Sequence, residues 1–132
     1  MVELRKQVTL QVPDEVGRLA EITECIKKAR INIQALSAWA HGGMGYVTFL
    51  TEDHDKAVTA ISPIVDQCEF SEVIWATISD EPGALHELAR KLTDGGVSVK
   101  SVYSIGCEHA RQARVVMQTE NNQRALKVLQ GE

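Results

Sequence analysis

The chain has 132 residues, 44% of them hydrophobic and 24% charged, which is typical of a globular protein with one ordinary domain or two small ones. The net charge is −4 and the basic residues are scattered, with no cluster longer than a pair, so the clustered basic stripe of a nucleic-acid-binding protein is missing. No apolar run approaches the ~20 residues of a membrane span, and the charged N-terminus lacks the apolar stretch of a signal peptide. We therefore expect a cytoplasmic protein that binds neither nucleic acid nor membrane.

Strand and helix patterns alternate along the first half of the chain. Leu4–Val12 alternates apolar and polar residues, as a half-buried strand does. A turn at Pro13–Gly17 follows, and apolar residues then recur at helical spacing from Leu19 to Ala29. The rest of this half is predicted to form strands at Ile31–Leu36 and Tyr46–Thr51 around a Gly42–Gly43 hairpin turn, a helix at Asp53–Ser62 and a strand at Phe70–Ile78.

The second half repeats this order of elements. Its predicted elements are a strand at Val73–Ile78, a helix at Gly83–Asp94 ended by Gly95–Gly96, strands at Val97–Ile105 and Arg114–Thr119, and a helix at Asn122–Gln130. This order predicts an α+β protein of two tandem ferredoxin-like βαββαβ modules, spanning 1–70 and 71–132, with antiparallel sheets and helices on one face. The second module lacks a final strand in sequence, so that strand is either absent or supplied by another segment.

One short motif occurs in both halves. The eight residues beginning at Asp14 (DEVGRLAE) recur from Asp80 (DEPGALHE) with five of the eight identical. The flanking core positions agree as well, because Ile22 and Ile26 match Leu88 and Leu92. Agreement of the motif and of the hydrophobic pattern indicates an internal duplication.

The duplicated motif lies between a strand and a helix, where it is suited to hold a small zwitterion. Backbone N–H groups at the start of a helix lack partners and attract a carboxylate. Gly17 and Gly83 allow close approach to the backbone, while Asp14 and Asp80 offer acceptors to an ammonium group. The alternative is structural, since an acidic residue before a helix is a common N-cap. From a single copy of the motif, capping is the more frequent explanation.

The chain resembles a tandem pair of ACT domains, the regulatory modules of amino-acid metabolism. Asp80 to Leu85 (DEPGAL) matches that family's D-x-P-G-x-L loop, and Ile31-Asn32-Ile33 matches its second characteristic segment. The resemblance implies that an amino acid binds where the loop of one module faces the second-strand start of a neighbour. The implied ligand-binding residues are Asp14, Val16, Gly17, Arg18, Leu19, Asn32 and Ile33 in the first copy, and Asp80, Pro82, Gly83, Ala84, Leu85, Ser98 and Val99 in the second.

Val16 replaces the family's proline in the first copy, and Ser98 replaces its asparagine in the second, so the two sites need not be equivalent. The resemblance further implies a freestanding regulator, expected to be a homodimer, that binds a free amino acid without a cofactor and acts through a partner protein.

Two other functions stay open at this stage. The chain could be a ligand-free assembly module that uses an exposed sheet edge. It could also be a metal-responsive regulator that uses Cys107 and His109, which would share one face of a strand, although further ligands at a standard spacing are missing. We do not expect an enzyme, because the sequence has no recognisable nucleophile, catalytic set or phosphate-binding loop.

Overall fold

The computed structural model describes residues 1–65, 67–107 and 109–131, with the side chain of Cys107 outside the described part. In chain order the elements are β1 (Val2–Pro13), α1 (Arg18–Lys28), β2 (Ile33–His41), β3 (Met44–Thr51), α2 (His54–Ile61), β4 (Cys68–Ser79), α3 (Ala84–Asp94), β5 (Val99–Cys107), β6 (Gln112–Thr119) and α4 (Asn122–Leu129).

The predicted fold class is confirmed. The protein is α+β, with the βαββαβ order present twice and antiparallel strands in the order β2-β3-β1-β4-β6-β5. No helix among the described residues is long and apolar enough to cross a membrane. The chain divides into two compact units, one formed by Lys6–Ser71 and the other by Met1–Arg5 with Glu72–Glu132.

The Lys6–Ser71 unit has the strand order β2-β3-β1-β4. Val8 and Leu10 of β1 alternate with outward-facing residues, and they pack with Phe49 of β3 against α1 and α2. Both helices therefore cover the same face of the sheet. The core of this unit consists of Val8, Leu10, Ile22, Ile26, Ile31, Val47, Phe49, Ala57 and Ile61.

The other unit has the order β5-β6-β4-β1, and Met1–Arg5 supplies its outer β1 segment. The Thr77 N–H donates a hydrogen bond to the Met1 carbonyl at 3.0 Å, and Gln130 Nε2 donates to the Val2 carbonyl at 3.3 Å. Val2 and Leu4 pack against the core of this unit. That core consists of Ile74, Ala76, Leu88, Leu92, Val97, Val115, Met117 and Ala125.

Most predicted elements are observed within a few residues of their expected bounds, but the second strand of each repeat starts later than predicted. Ile31 was expected to begin a strand, yet its N–H donates to the Ile26 carbonyl at 3.2 Å and so closes α1. Arg30 turns the chain there with a φ of 59°. The Val97 N–H bonds in the same way to the Leu92 carbonyl at 2.9 Å. Both residues belong to helix-terminating motifs of the Schellman type.

Candidate functional site

The duplicated loop joins β1 to α1 and β4 to α3, and a glycine occupies the N-cap position in both copies. Gly17 has a φ of 92° and Gly83 a φ of 90°, so both lie in the left-handed region. No side chain makes a capping hydrogen bond at either helix. The capping role considered for Asp14 and Asp80 is therefore wrong, because the N-cap of each helix is a glycine three residues after the aspartate.

Two backbone amides remain available in the first turn of each of these helices. In the first copy, the Arg18 N–H donates to the Glu15 carbonyl at 3.3 Å and the Glu21 N–H to the Gly17 carbonyl at 3.0 Å. The N–H groups of Leu19 and Ala20 lie between these bonded amides and precede the start of the helical ladder. The second copy repeats the pattern. The Ala84 N–H donates to the Glu81 carbonyl at 3.2 Å and the Glu87 N–H to the Gly83 carbonyl at 3.0 Å.

A pocket of about 220 Å³ lies beside the first loop. Asp14, Arg18 and Leu19 of the predicted site line one side, together with Glu15 of the same loop, which was not predicted. The other side is formed by residues that the sequence analysis missed, and these are Val12, Pro13, Ala38, Trp39, Ala40, Gly45, Tyr46 and Val47. No motif marks these positions, because the antiparallel pairing of β2 with β3 and of β3 with β1 is what brings them to the loop.

Arg18 lines this pocket and lies near two glutamates. Its Nε lies 3.5 Å from Glu15 Oε2 and its guanidinium lies 3.8 Å from Glu21 Oε2. The contact with Glu15 has an ion-pair distance but does not meet hydrogen-bond geometry, so Arg18 Nε is buried without a hydrogen-bond partner in the part of the chain described. A buried donor in this state favours an incoming acceptor. Arg18 also lines a neighbouring cavity of about 450 Å³, together with Met44 and Val65.

The second-strand residues of the predicted site do not join the loop of their own unit. Asn32 follows α1, whose 11 residues place it about 16 Å from the loop at the other end of the helix. Its N–H lies 3.5 Å from Glu52 Oε1, and the Ser98 N–H donates to Glu120 Oε1 at 3.1 Å. Ile33 and Val99 begin β2 and β5 beside these residues.

Apolar side chains stand exposed on both loops. Val16, Leu19, Pro82 and Leu85 are all exposed to solvent, and Val16 is fully so. Ala84 is half-buried at the position that Arg18 occupies in the first copy. The second loop therefore has no guanidinium at this point.

Asp80 of the second loop lies against β5. A methyl group added at Gly106 would lie 3.2 Å from Asp80 Oδ2, which shows that the carboxylate covers this glycine. The Asp80 N–H donates to the Arg111 carbonyl at 2.9 Å, as the Asp14 N–H does to the Gly43 carbonyl at 3.0 Å. The backbones of the two loops thus correspond, while their side-chain surroundings differ.

A second group of ionisable residues lines a pocket of about 380 Å³ between α2 and the start of β4. The ring of His54 meets that of Phe70 edge to face at 6.0 Å, and Lys6 Nζ lies 4.9 Å from the Phe70 ring centre. Burial lowers the pKa of His54, and Lys6 lowers it further against the opposing effect of Asp55.

Burial also raises the pKa of the Cys68 thiol in this pocket, with a further contribution from Glu69.

Among the residues that the structure describes, no group of three or more His, Cys, Asp and Glu side chains could hold a metal ion. The predicted Cys107 and His109 pair rests on the Cys107 side chain, which lies outside the described residues. The metal alternative consequently has no supporting cluster in the described part of the chain.

No protein-family model matches the sequence, and no curated protein matches it. Solved structures do match. Protein BT0572 from Bacteroides thetaiotaomicron superposes with a TM-score of 0.91 and 27% identity, over 98% of this chain and 89% of that one. The ligand-free regulatory subunit of aspartate kinase from Thermus thermophilus matches with a TM-score of 0.70 and 16% identity, over 98% and 95% of the two chains.

A putative C-terminal regulatory domain of aspartate kinase from Porphyromonas gingivalis has a TM-score of 0.57 and 16% identity, with 99% of this chain and 94% of that chain covered. At such identities the two aspartate kinase structures share the fold with this chain.

Proposed function

We propose that this chain, which has the tandem ACT-like fold of these structures, is a regulatory protein that binds a free amino acid at its strand–helix loops. The observation that carries the proposal is the pocket beside the first loop. Its lining brings together Arg18, whose Nε is buried without a hydrogen bond, the carboxylates of Asp14 and Glu15, and Leu19 of the first turn of α1. The fold is shared with regulatory rather than catalytic parts of aspartate kinase, so the proposed role is regulation and not catalysis.

The charges around the pocket suit the two ends of an amino acid. The α-carboxylate would accept hydrogen bonds from Arg18 Nε and from the N–H groups of Leu19 and Ala20, where the helix dipole adds a favourable field. The α-ammonium would face Asp14 and Glu15, which line the same pocket. A ligand with only one of these groups would leave part of this set unpaired, which costs free energy in a partly enclosed site.

The complete site is proposed to need a neighbouring module. Asn32 and Ile33, with Ser98 and Val99 in the second copy, lie a helix length away from the loop of their own unit, so they could face only the loop of another module. The exposed Val16 offers apolar surface for such an approach. A cytoplasmic homodimer that signals its occupancy to a partner protein is the arrangement we propose. Binding would favour one packing of the modules over another.

A thermal-shift panel of the twenty common amino acids tests the proposal. An amino acid present at 100 times its Kd stabilises the native state by about 2.7 kcal/mol and must raise the Tm. We expect at least one amino acid to raise the Tm of the wild type, and Arg18→Ala to reduce that shift. An unchanged Tm with every amino acid at millimolar concentration would refute the proposal. Lys28→Ala serves as the control, because its exposed ion pair with Glu24 lies at the far end of α1.

One observation favours the ligand-free assembly module as a second candidate. β5 lies last in the strand order and carries exposed apolar side chains, with Val102 51% and Ile105 39% exposed. Such a strand invites pairing with another chain. If assembly is the function, the oligomer should form without any amino acid, and Val102→Lys should dissociate it in light-scattering measurements. If amino-acid binding is the function, the oligomeric state or its stability should respond to the amino acid found in the panel.

A further inference from the structure

The two copies of the loop differ in what lies opposite their aspartates. In the second copy, Asp80 Oδ2 would be only 3.2 Å from a methyl group at Gly106. Ala40 takes the place of Gly106 in the first copy, and it carries that methyl group. Both pairings of the strands agree with this correspondence, because Ala40 lies opposite Gly45 and Gly106 opposite Ala113.

The Ala40 methyl disfavours the aspartate conformation seen in the second loop. A carboxylate placed as in Asp80 would lie closer to the methyl carbon than ordinary van der Waals contact, and it would exchange water for an apolar neighbour. In the first loop, Asp14 and Ala40 instead both line the pocket of about 220 Å³. The glycine thus allows Asp80 to cover the strand, while the alanine leaves the corresponding space open.

The two loops also differ in whether they carry a cationic side chain, and this difference too disfavours anion binding at the second loop. Arg18 brings to the first loop a guanidinium whose Nε is buried without a hydrogen bond, 3.5 Å from Glu15 Oε2, and Ala84 stands in its place in the second. An α-carboxylate entering the second loop would meet the Asp80 carboxylate without a guanidinium to offset the repulsion. Both differences reduce anion binding at the second loop, and they are independent of each other because they concern different elements.

We propose, as an extension of the proposed function, that each chain binds one amino acid, at the loop of the Lys6–Ser71 unit, and that Asp80 closes the loop of the other unit. The ligand is a neutral amino acid with a short apolar side chain. Its two charged ends use Arg18 and Asp14. The remaining lining is mostly apolar and includes Val12, Ala38, Trp39, Ala40, Tyr46 and Val47, with Glu15 as its other charged residue. Because Glu15 already lies 3.5 Å from Arg18 Nε, a third charge on the ligand would have no free ionic partner in this lining.

Amide NMR of the full chain tests both parts of the proposal. Alanine, valine, leucine and threonine are titrated, with lysine and glutamate as charged comparators. We expect the amides of Leu19 and Ala20 to shift with a neutral amino acid while those of Leu85 and His86 do not, and we expect calorimetry to give one site per chain. Shifts at both loops, or two sites per chain, would overturn this inference and leave the proposed function intact. Preferential binding of lysine or glutamate would overturn the ligand class.

Binding of none of these six amino acids at either loop would overturn the ligand class, and with it the inference. The panel of twenty then decides separately whether the proposed function fails as well.

Variants separate the roles of the methyl group and the guanidinium. Arg18→Ala should raise the Kd by about 10- to 100-fold, the effect of removing a charge-assisted hydrogen bond, while Arg18→Lys should retain part of the affinity. Ala40→Gly should weaken binding because Asp14 can then take the position seen for Asp80. Gly106→Ala is the matched control and should leave the affinity of the first loop unchanged. Equal affinities of wild type and Ala40→Gly would contradict the role of the methyl group.

The closed loop can also be opened. The double variant Asp80→Ala with Ala84→Arg removes the covering carboxylate and supplies the missing guanidinium, so the number of sites per chain should rise from one to two. A stoichiometry that remains at one in this variant, with the fold intact by circular dichroism, would overturn the closure by Asp80.

Discussion

At the scale of single residues, Gly17 and Gly83 set the backbone of the two loops. Both were expected to allow close approach of a ligand and a positive φ, and both have a left-handed φ that ends the loop and starts the helix. The sequence could predict a special backbone at these positions, because the glycines recur at equivalent places. It could not predict Ala40 as a determinant of the site, since an alanine in a strand has no distinctive pattern and its importance depends on the pairing of β2 with β3.

Substitution of Gly17 tests the backbone argument without a steric complication. No atom lies within 4 Å of a methyl group built at this glycine, so Gly17→Ala should cost only the left-handed conformation, about 1–2 kcal/mol of unfolding free energy. Gly17→Asn should cost less, because asparagine tolerates this region better. Urea unfolding with an unchanged m-value is the measurement. An alanine variant as stable as the wild type would contradict the argument.

His54 makes stability depend on pH. Its pKa lies below the ordinary value of 6.5, chiefly because of burial. The unfolded chain therefore binds more protons than the folded chain in the window below pH 6.5, so the stability falls as the pH falls through that window toward the lower pKa of the fold. His54→Asn should flatten this part of the stability profile, as measured by urea unfolding between about pH 7 and pH 5.

The choice of asparagine follows the repeat, because Asn122 occupies the matching position in the second copy. His86→Asn, at an exposed position, is the control. If the unfolding free energy of His54→Asn falls with pH as steeply as that of the wild type, other groups cause the pH dependence.

At the scale of elements, two kinds of helix start divide the four helices. Glycine begins α1 and α3, while the side chains of Asp53 and Asn121 cap α2 and α4 by accepting from the Lys56 N–H at 3.1 Å and the Arg124 N–H at 3.0 Å. Hydrophobic periodicity predicted all four helices. It could not predict the delayed start of the second strands, because Ile31 and Val97 are buried in a helix-terminating motif as firmly as they would be in a strand.

The difference between the two kinds of start can be measured. Asn121→Ala and Asp53→Ala should each lower the unfolding free energy by about 1 kcal/mol, because a first-turn amide loses its acceptor. Asp14→Ala should have a much smaller effect, since Asp14 makes no capping hydrogen bond. The three variants are compared by thermal unfolding. A loss for Asp14→Ala equal to that for Asp53→Ala would restore the capping role that the structure argues against.

At the scale of the whole molecule, the order of elements could be predicted from the sequence. The segment that takes the place of the missing final strand of the second repeat could not. A repeat found by matching letters assigns every residue to one of two consecutive halves, so the division at residues 70 and 71 stays a prediction about the repeat. The two compact units divide the chain differently, because Met1–Arg5 belongs to the same unit as Glu72–Glu132. Pairing between residues so far apart along the chain leaves no local signature in the sequence.

The contribution of Met1–Arg5 should appear as stability of the Glu72–Glu132 region. Leu4 is half-buried against that region's core, so Leu4→Ala removes part of the 2–5 kcal/mol that a fully buried leucine contributes, and about 1–2 kcal/mol is expected. Glu3→Ala is the matched control, because Glu3 is exposed on the same segment. Hydrogen exchange at the Thr77 amide, which donates to the Met1 carbonyl at 3.0 Å, gives a local readout and should accelerate in Leu4→Ala. Equal unfolding free energies and equal Thr77 exchange rates in the two variants would mean that the segment lies beside β4 without stabilising it.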